Sequence, residues 1–383
     1  MEVFRIAAVL AGSALVVWTL LSAVRAVILP RGDVVLLTRV VFVALRWVFD
    51  RITGLARSYE ARDRAMAMYS PIGLLLLAAS WVTLVIAGFT AVFWGLGVDP
   101  LRQAFVESGS SLLTLGFVKP DDLPSTIAAF IEATLGLGLI ALLISYLPSI
   151  YSAFQRREQA VVMLGTRAGQ PPDPAVMIMR AHSLARLDSL NTVWVQWEAL
   201  FADLEETHTS QPSLPFFRSP ISGRSWVTAS GTVLDGAALV LSVVNTPIDP
   251  QAAMCLRSGF LCLRRIADYF QIPYDPDPDP DDPISIDRSE FDAVYEQLAG
   301  YGVPVRRDRE KAWRDFQGWR VNYDLPLLGL AALTMAPYAK WSSDRSVNLS
   351  LPTVRAALRL RWADRVRGAG RGAGPAATDP PPT

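Results

Sequence analysis

The chain is poor in the residues that most often carry chemistry. Its 383 residues include two cysteines and two histidines, and 36 basic residues balance 36 acidic ones, so there is no formal net charge. Two cysteines are too few for a disulfide framework, and they fit a reducing compartment. We therefore expect Cys255 and Cys262 to be ordinary core residues. The balanced charge gives no indication of a nucleic-acid partner.

Motifs of the common enzyme classes are also missing. The sequence has no nucleophile elbow, no Walker loop and no zinc-type spacing of cysteine and histidine. Its G-x-G runs lie in an apolar stretch, at Gly136 and Gly138, and in the C-terminal tail, so neither follows a strand and opens a nucleotide-binding helix. We predict that the protein is not an enzyme, that it uses no cofactor and that it holds no structural metal.

Apolar residues, in contrast, are abundant. They make up 51% of the chain, and the mean hydropathy of +0.28 is high for a soluble protein. Three stretches are long enough to cross a bilayer as helices, which takes about 20 residues. They are Ile6–Leu29, Ile72–Gly97 and Ser125–Phe154. We interpret residues 1–29 as a transmembrane anchor helix and not as a signal peptide, because no small-residue cleavage site follows it.

The positions of the arginines predict the orientation. Basic residues cluster between the first two spans and again after the third, and such clusters mark the cytoplasmic side. We therefore place the N-terminus and the 98–124 connection outside the plasma (cytoplasmic) membrane, with the C-terminal domain in the cytoplasm. Segment 30–71 is predicted to be cytoplasmic, with the apolar, arginine-containing part 34–52 lying on the inner membrane surface. A fourth crossing by 34–52 is the alternative.

The connection between the second and third spans is the most informative part of the sequence. It reads VDPLRQAFVESGSSLLTLGFVKPDDLP. Asp99 and Pro100 are typical of a helix start, with the aspartate as the cap and the proline at the first helical position. A helix over 101–112 would be about 18 Å long, half the depth of a membrane. Thr114-Leu115-Gly116-Phe117 follows, and a polar stretch then returns to the third span.

A span, a short re-entrant helix, a T-x-G-aromatic run and a second span together resemble the pore module of the potassium-channel family. The usual filter of that family reads T-V-G-Y-G or T-x-G-F-G. The resemblance implies an all-α membrane protein with three transmembrane helices and a re-entrant pore helix. It assigns 72–154 to the pore module, 101–112 to the pore helix and 113–118 to the filter. The filter carbonyls, which replace the water around a cation, would come from Thr114, Leu115, Gly116 and Phe117.

The same resemblance implies a homotetramer that conducts potassium or other monovalent cations across the lipid bilayer. Glu132 would line the inner cavity and attract cations, while Gly136 and Gly138 would form a gating hinge. A position for Glu132 at the outer interface is the alternative. Val118 and Lys119 depart from the family pattern, so the outer carbonyl ring is missing or rotated. These departures leave open a second function, a non-conducting membrane scaffold whose cytoplasmic domain binds a partner.

The C-terminal half is predicted to be a mainly helical cytoplasmic domain over 155–367, followed by a disordered tail over 368–383. Two acidic stretches are candidate metal or catalytic sites. The carboxylates between Glu198 and His208 suggest either a metal or enzyme site or solvated charges at a helix end, and the lack of a zinc-protease spacing favours the second. The aspartates of 273–283 alternate with prolines, which favours a stiff linker over a calcium loop. Helices are expected at 182–204, 231–244, 251–270, 289–299, 309–323 and 325–335.

Overall fold

The computed structural model describes residues 2–27, 35–56, 58–184, 186–247 and 249–345. Within these residues the regular structure is helical, and the only β-type pairing is an isolated bridge between Val244 and Val305. The predicted all-α fold is therefore confirmed. The tail predicted to be disordered, 368–383, lies outside the described residues, as do residues 346–367 of the predicted C-terminal domain.

Six helices form the N-terminal half. In chain order they are α1 (Glu2–Val27), α2 (Leu36–Gly54), α3 (Tyr59–Ala67), α4 (Tyr69–Leu96), α5 (Leu101–Leu112) and α6 (Leu123–Ala168). By length and composition, α1, the nearly continuous α3–α4 unit and α6 are able to cross a membrane. They coincide with the three predicted spans, and they support a membrane-embedded protein.

Small residues hold α1 against α4. A Cβ atom added to Gly12 would lie 2.4 Å from the carbonyl oxygen of Gly88, and one added to Gly95 would lie 2.5 Å from Val9. Without side chains at these points the two backbones approach closely, as small residues allow in membrane helix pairs. The pair also positions Arg5 beside Asp99, at the end of α4 that leads into α5.

Seven further helices form what we call the C-terminal unit. They are α7 (Pro174–Ser183), α8 (Leu190–Ser210), α9 (Trp226–Ser242), α10 (Pro250–Phe270), α11 (Arg288–Gly300), α12 (Arg309–Arg320) and α13 (Asp324–Thr334). The prediction of one helix over 182–204 is wrong at its start, because helical structure is interrupted between the end of α7 at Ser183 and the start of α8 at Leu190. The break includes a short 3-10 turn at Leu187–Ser189.

The core of this unit surrounds α9, which is buried along nearly its whole length. A buried ionic network crosses it. The Arg320 guanidinium donates to Asp235 at 2.6 Å and to Asp324 at 2.8 Å, and all three side chains are almost completely buried. The Tyr323 hydroxyl also donates to Asp235, at 2.8 Å. Because each charge in the network has a charged partner, the burial cost is offset and the network fixes how α9, α12 and α13 pack.

The third span does not end where the sequence suggested. α6 runs without interruption from Leu123 to Ala168, through Pro148, so the expected division between residues 154 and 155 falls inside one helix. Its second half packs into the C-terminal unit, where Val161 and Leu164 join the main hydrophobic core. The two halves of the chain therefore share one helix, because α6 continues through the polar residues 155–159 to a second apolar group that packs into the C-terminal unit.

Candidate functional site

The helix predicted over 101–112 is present with those bounds, as α5. At 1.5 Å per residue it is about 18 Å long, much shorter than α4 and α6, against which it packs. Ala104 and Leu112 are buried in the same cluster as residues of α4 and α6. A short helix enclosed by two long apolar ones therefore leads directly into Thr114–Phe117.

Ser108 connects the three helices. Its hydroxyl lies 2.6 Å from a carboxylate oxygen of Glu132 on α6 and 3.1 Å from the carbonyl oxygen of Ile86 on α4. Ser108 is fully buried, as is Glu132. A polar contact at this depth is stabilising because water is excluded from both partners. Ser108 is not among the predicted site residues, although the three serines in the second half of α5 are a signal for polar contacts.

Glu132 is buried in the single chain, where its carboxylate lies against Ser108 of α5. Its role as a lining residue of the inner cavity of an assembled pore stays a prediction, as does the alternative position at the outer interface. Glu107 on α5 is also buried, at 4% exposure. One oxygen of each carboxylate has no hydrogen-bond partner among the described residues. Glu132 therefore joins α6 to α5 through its contact with Ser108.

Gly136 and Gly138 lie on different faces of α6. A Cβ atom on Gly136 would approach the Leu112 carbonyl oxygen to 2.3 Å, whereas one on Gly138 would have no neighbour within 4 Å. Gly136 is thus the point where α6 contacts the last turn of α5. Helix α6 is continuous through both glycines. Their role as a gating hinge stays a prediction.

The segment after α5 has an unusual backbone. Thr114 and Gly116 have positive φ angles of 54° and 69°, and Leu115 and Phe117 do not. Such alternation turns successive peptide groups so that N–H groups gather on one edge of the chain and carbonyl groups on the other. Gly116 adopts this conformation without steric cost, and Thr114 adopts it against its usual preference.

Hydrogen bonds of this segment run toward α5. The Leu115 and Gly116 N–H groups donate to the Ser110 carbonyl oxygen at 2.9 and 3.4 Å, and the Val118 N–H donates to the Ser110 hydroxyl at 3.3 Å. Among the described residues, no group donates to the carbonyl oxygens of residues 114–117. The side chains of Leu115 and Phe117 are 59% and 64% exposed. The segment therefore offers a row of free carbonyl groups from a well-anchored backbone.

The start of α5 differs from the prediction. Asp99 does not cap the helix; Pro100 occupies the cap position, and no side chain caps the first turn. The Asp99 carboxylate is instead paired with Arg5 of α1. A competing charged partner outweighs capping here, because an ion pair satisfies the carboxylate more fully than one backbone N–H does.

The arginines of α2 also have protein partners. Arg39 donates to the side chain of Gln271 at 3.2 Å, and Arg46 donates to the carbonyl oxygen of Leu333 at 2.7 Å. Only Arg51 projects outward, stacked 4.5 Å above the ring of Trp47. Part of the basic cluster that was read as a membrane-surface signal thus joins α2 to the C-terminal unit.

The acidic cluster of α8 is divided among separate partners. Asp203 pairs with Arg156 at 2.7 Å, and Glu205 lies 3.6 Å from Arg265. His208 is buried, 3.4 Å from the Arg157 guanidinium. Burial, together with that positive charge, holds the pKa of His208 well below its usual range. The two carboxylates therefore lie in separate ion pairs, and His208 contacts a guanidinium group and neither carboxylate.

The aspartate–proline segment 273–283 folds on itself. The Asp277 and Asp281 N–H groups donate to the side chains of Asp275 and Asp279, each at 2.9–3.0 Å. Gln317 then fixes the segment by donating to two of its carbonyl oxygens. No group of three or more Asp, Glu, His or Cys side chains that could hold a metal occurs in the described part of the chain.

Comparison of the chain with protein-family models, with curated proteins and with solved structures found no match.

Proposed function

We propose that the protein is a tetrameric channel for monovalent cations, with potassium as the first ion to test. The observation that carries the proposal is the backbone of residues 114–117. Its Leu115 and Gly116 N–H groups donate to Ser110 of α5, its φ angles are positive at Thr114 and Gly116, and its carbonyl oxygens have no donor among the described residues. Rings of such carbonyl oxygens are what a dehydrated cation requires.

The surroundings of the segment support this role. α5 points its C-terminal end at the segment, and the negative end of a helix dipole favours a cation there. In this proposal α5 is a re-entrant pore helix. Irregular backbone at membrane depth is tolerated where it is buried in protein or lines water, which also fits a pore.

The proposal requires more than one chain. A single copy supplies one row of carbonyl groups, and a closed ring needs rotational symmetry. Leu115 and Phe117 are large apolar side chains that contact little in the single chain. In a tetramer of this kind they pack against neighbouring subunits while the carbonyl groups face the axis. We further propose that the C-terminal unit lies in the cytoplasm and the N-terminus outside, as the arginine distribution indicates.

A scaffold without conduction is the second candidate. Val118 and Lys119 favour it, since neither matches the family pattern and the Lys119 side chain is exposed beside the segment. A lysine facing the axis would repel cations. Asp121 and Asp122 follow closely and offset that charge in the channel proposal.

The deciding experiment is tracer flux into liposomes that contain the purified tetramer, with rubidium as tracer and potassium or sodium as competitor. The informative pair of variants is Gly116→Ala and Gly165→Ala. An added Cβ atom has open space at both positions, but only Gly116 has a positive φ. Alanine costs roughly 1–2 kcal/mol in that conformation, so flux should fall sharply for Gly116→Ala alone.

Two results would contradict the channel. Flux that is equal in Gly116→Ala and Gly165→Ala would show that the backbone of 114–117 plays no part in conduction. A fourfold assembly that carries no potassium, sodium or rubidium would support the scaffold instead.

A further inference from the structure

The inner half of α6 contains a buried arginine. Arg157 is 1% exposed, and it lies about 32 Å beyond Gly136 on the same uninterrupted helix. The neighbouring Arg156 is exposed and paired with Asp203. A guanidinium that is buried so completely must use its N–H groups on protein acceptors, since leaving a buried charge unpaired is costly.

Those acceptors lie mainly in one short segment. Arg157 donates to the carbonyl oxygens of Leu214 at 2.9 Å and Phe217 at 2.7 Å. It also donates to Glu158 at 3.1 Å and lies 3.4 Å from the His208 ring. The Nε–H donates to the same Glu158 oxygen at 3.3 Å, so all five N–H groups of the guanidinium have an acceptor. We call residues 213–218 the clamp segment.

The clamp segment also holds the other N-terminal helices. The Ser70 hydroxyl at the start of α4 donates to the Ser213 carbonyl oxygen at 2.9 Å. The ring of Phe216 packs edge-on against Tyr69, with centroids 5.3 Å apart. Arg218 pairs with Asp63 of α3 at 2.7 Å, and both side chains are nearly buried.

Arg218 extends the connection to the C-terminal unit. It donates to the Thr334 carbonyl oxygen at 2.6 Å and to the Met335 carbonyl oxygen at 3.1 Å, both at the end of α13. The Trp226 indole at the start of α9 donates to the Pro215 carbonyl oxygen at 3.0 Å. One six-residue segment therefore contacts α3, α4, α6, α9 and α13.

We propose that the clamp segment fixes the inner end of α6 relative to α4, and that Arg157 is the positioning residue through which the C-terminal unit controls the pore. This inference rests on the proposed channel function. Since α6 is continuous from Gly136 to Arg157, a displacement at Arg157 is transmitted along the helix toward the contact between Gly136 and Leu112, just ahead of residues 114–117. A change in the C-terminal unit reaches α6 through the clamp segment.

The test measures position and flux separately. Spin labels at Met68→Cys and Tyr151→Cys, both exposed sites on either side of the clamp segment, report the α4–α6 distance by pulsed electron resonance. The two native cysteines are buried and stay unlabelled. Labelled chains are diluted with unlabelled ones, so that each tetramer carries one labelled pair. Rubidium flux is then measured on the same variants without labels.

Arg157→Gln should broaden the distance distribution and change flux by ~5-fold or more, which is the lower end of usual coupling between sites. Arg157→Lys should recover part of both, because an ammonium reaches one carbonyl group and not two. If the Arg157→Gln protein cannot be purified, the Arg157→Lys variant is compared with the parent protein instead. Arg156→Gln is the matched control, and both readouts should stay as in the parent protein.

A second control separates positioning from stability. Val294→Ala removes buried volume in α11, a helix outside the five that the clamp segment contacts, so it should lower thermal stability and leave the distance and the flux unchanged. An unchanged distance distribution in Arg157→Gln and Arg157→Lys would overturn the proposal, as would a broadened one with parental flux. If the parent protein carries no flux, both the channel function and its regulation by the C-terminal unit are refuted. The distance measurement then shows whether the clamp segment still fixes α6 relative to α4.

Discussion

The contact between Gly136 and the end of α5 gives the sharpest prediction. In Gly136→Ala the new Cβ atom would lie 2.3 Å from the Leu112 carbonyl oxygen and 3.0 Å from a methyl group of the same leucine. The oxygen is part of the helix backbone and has no flexible torsion to move away. The two helices must therefore separate by several tenths of an ångström.

The magnitude follows from comparison with Gly138→Ala. Both substitutions replace glycine in the interior of α6, so both gain about 1 kcal/mol of helix propensity. Only Gly136→Ala pays for overpacking, which typically costs about 1–3 kcal/mol. The difference between the two variants should thus be about 1–3 kcal/mol in favour of Gly138→Ala, with propensity cancelled.

Thermal unfolding of the detergent-solubilised tetramer, followed by intrinsic fluorescence, measures this difference. Gly138→Ala should unfold at or above the parental temperature, and Gly136→Ala clearly below Gly138→Ala. Flux should fall in Gly136→Ala, because Leu112 lies two residues before Thr114 and its displacement disturbs the carbonyl row. Equal unfolding temperatures and equal flux in the two variants would refute the packing of α6 on α5.

Three further predictions concern other buried groups. Ser108→Ala should destabilise the protein by about 1–3 kcal/mol, because it removes the hydroxyl beside the buried Glu132, and thermal unfolding measures the loss. Below about pH 6.5 the unfolded His208 takes up a proton, while the folded one, whose pKa is depressed, stays neutral. The free energy of unfolding should therefore fall by up to ~1.4 kcal/mol per pH unit as the pH is lowered. Unfolding of the His208→Gln variant, measured across pH 5–7, should depend less on pH. Arg320→Met should cost about 3–5 kcal/mol in a denaturant titration, since it leaves Asp235 buried without its cation, and a cost below 1 kcal/mol would contradict the network.

Local patterns predicted some of this structure well. The bounds of α5 follow from the polar break before Leu101 and the T-x-G-aromatic run after Leu112, both of which are visible in the sequence. The apolar stretches locate α1, α4 and the first half of α6 because span length is set by the bilayer. These features depend on residues that are close together along the chain.

Features that depend on distant partners were missed. Asp99 has the right residue type for a cap, but Arg5, 94 residues earlier, takes its carboxylate. Residue type makes Asp99 a candidate cap, and a tertiary contact decides against it.

The arginines also show that a sequence pattern does not identify tertiary partners, and here the partners bear on function. Sequence counting treats each arginine near a span as a charge facing the cytoplasm, since the rule concerns charge and not partners. Arg157 satisfies that count, yet it is buried and joined to the carbonyl groups of Leu214 and Phe217. Its neighbour Arg156 has the same charge and lies in solvent. The two arginines differ only in their tertiary contacts, because the clamp segment, some sixty residues later, lies against Arg157 and not against Arg156. Comparing Arg157→Gln with Arg156→Gln therefore tests the tertiary structure and not the number of charges.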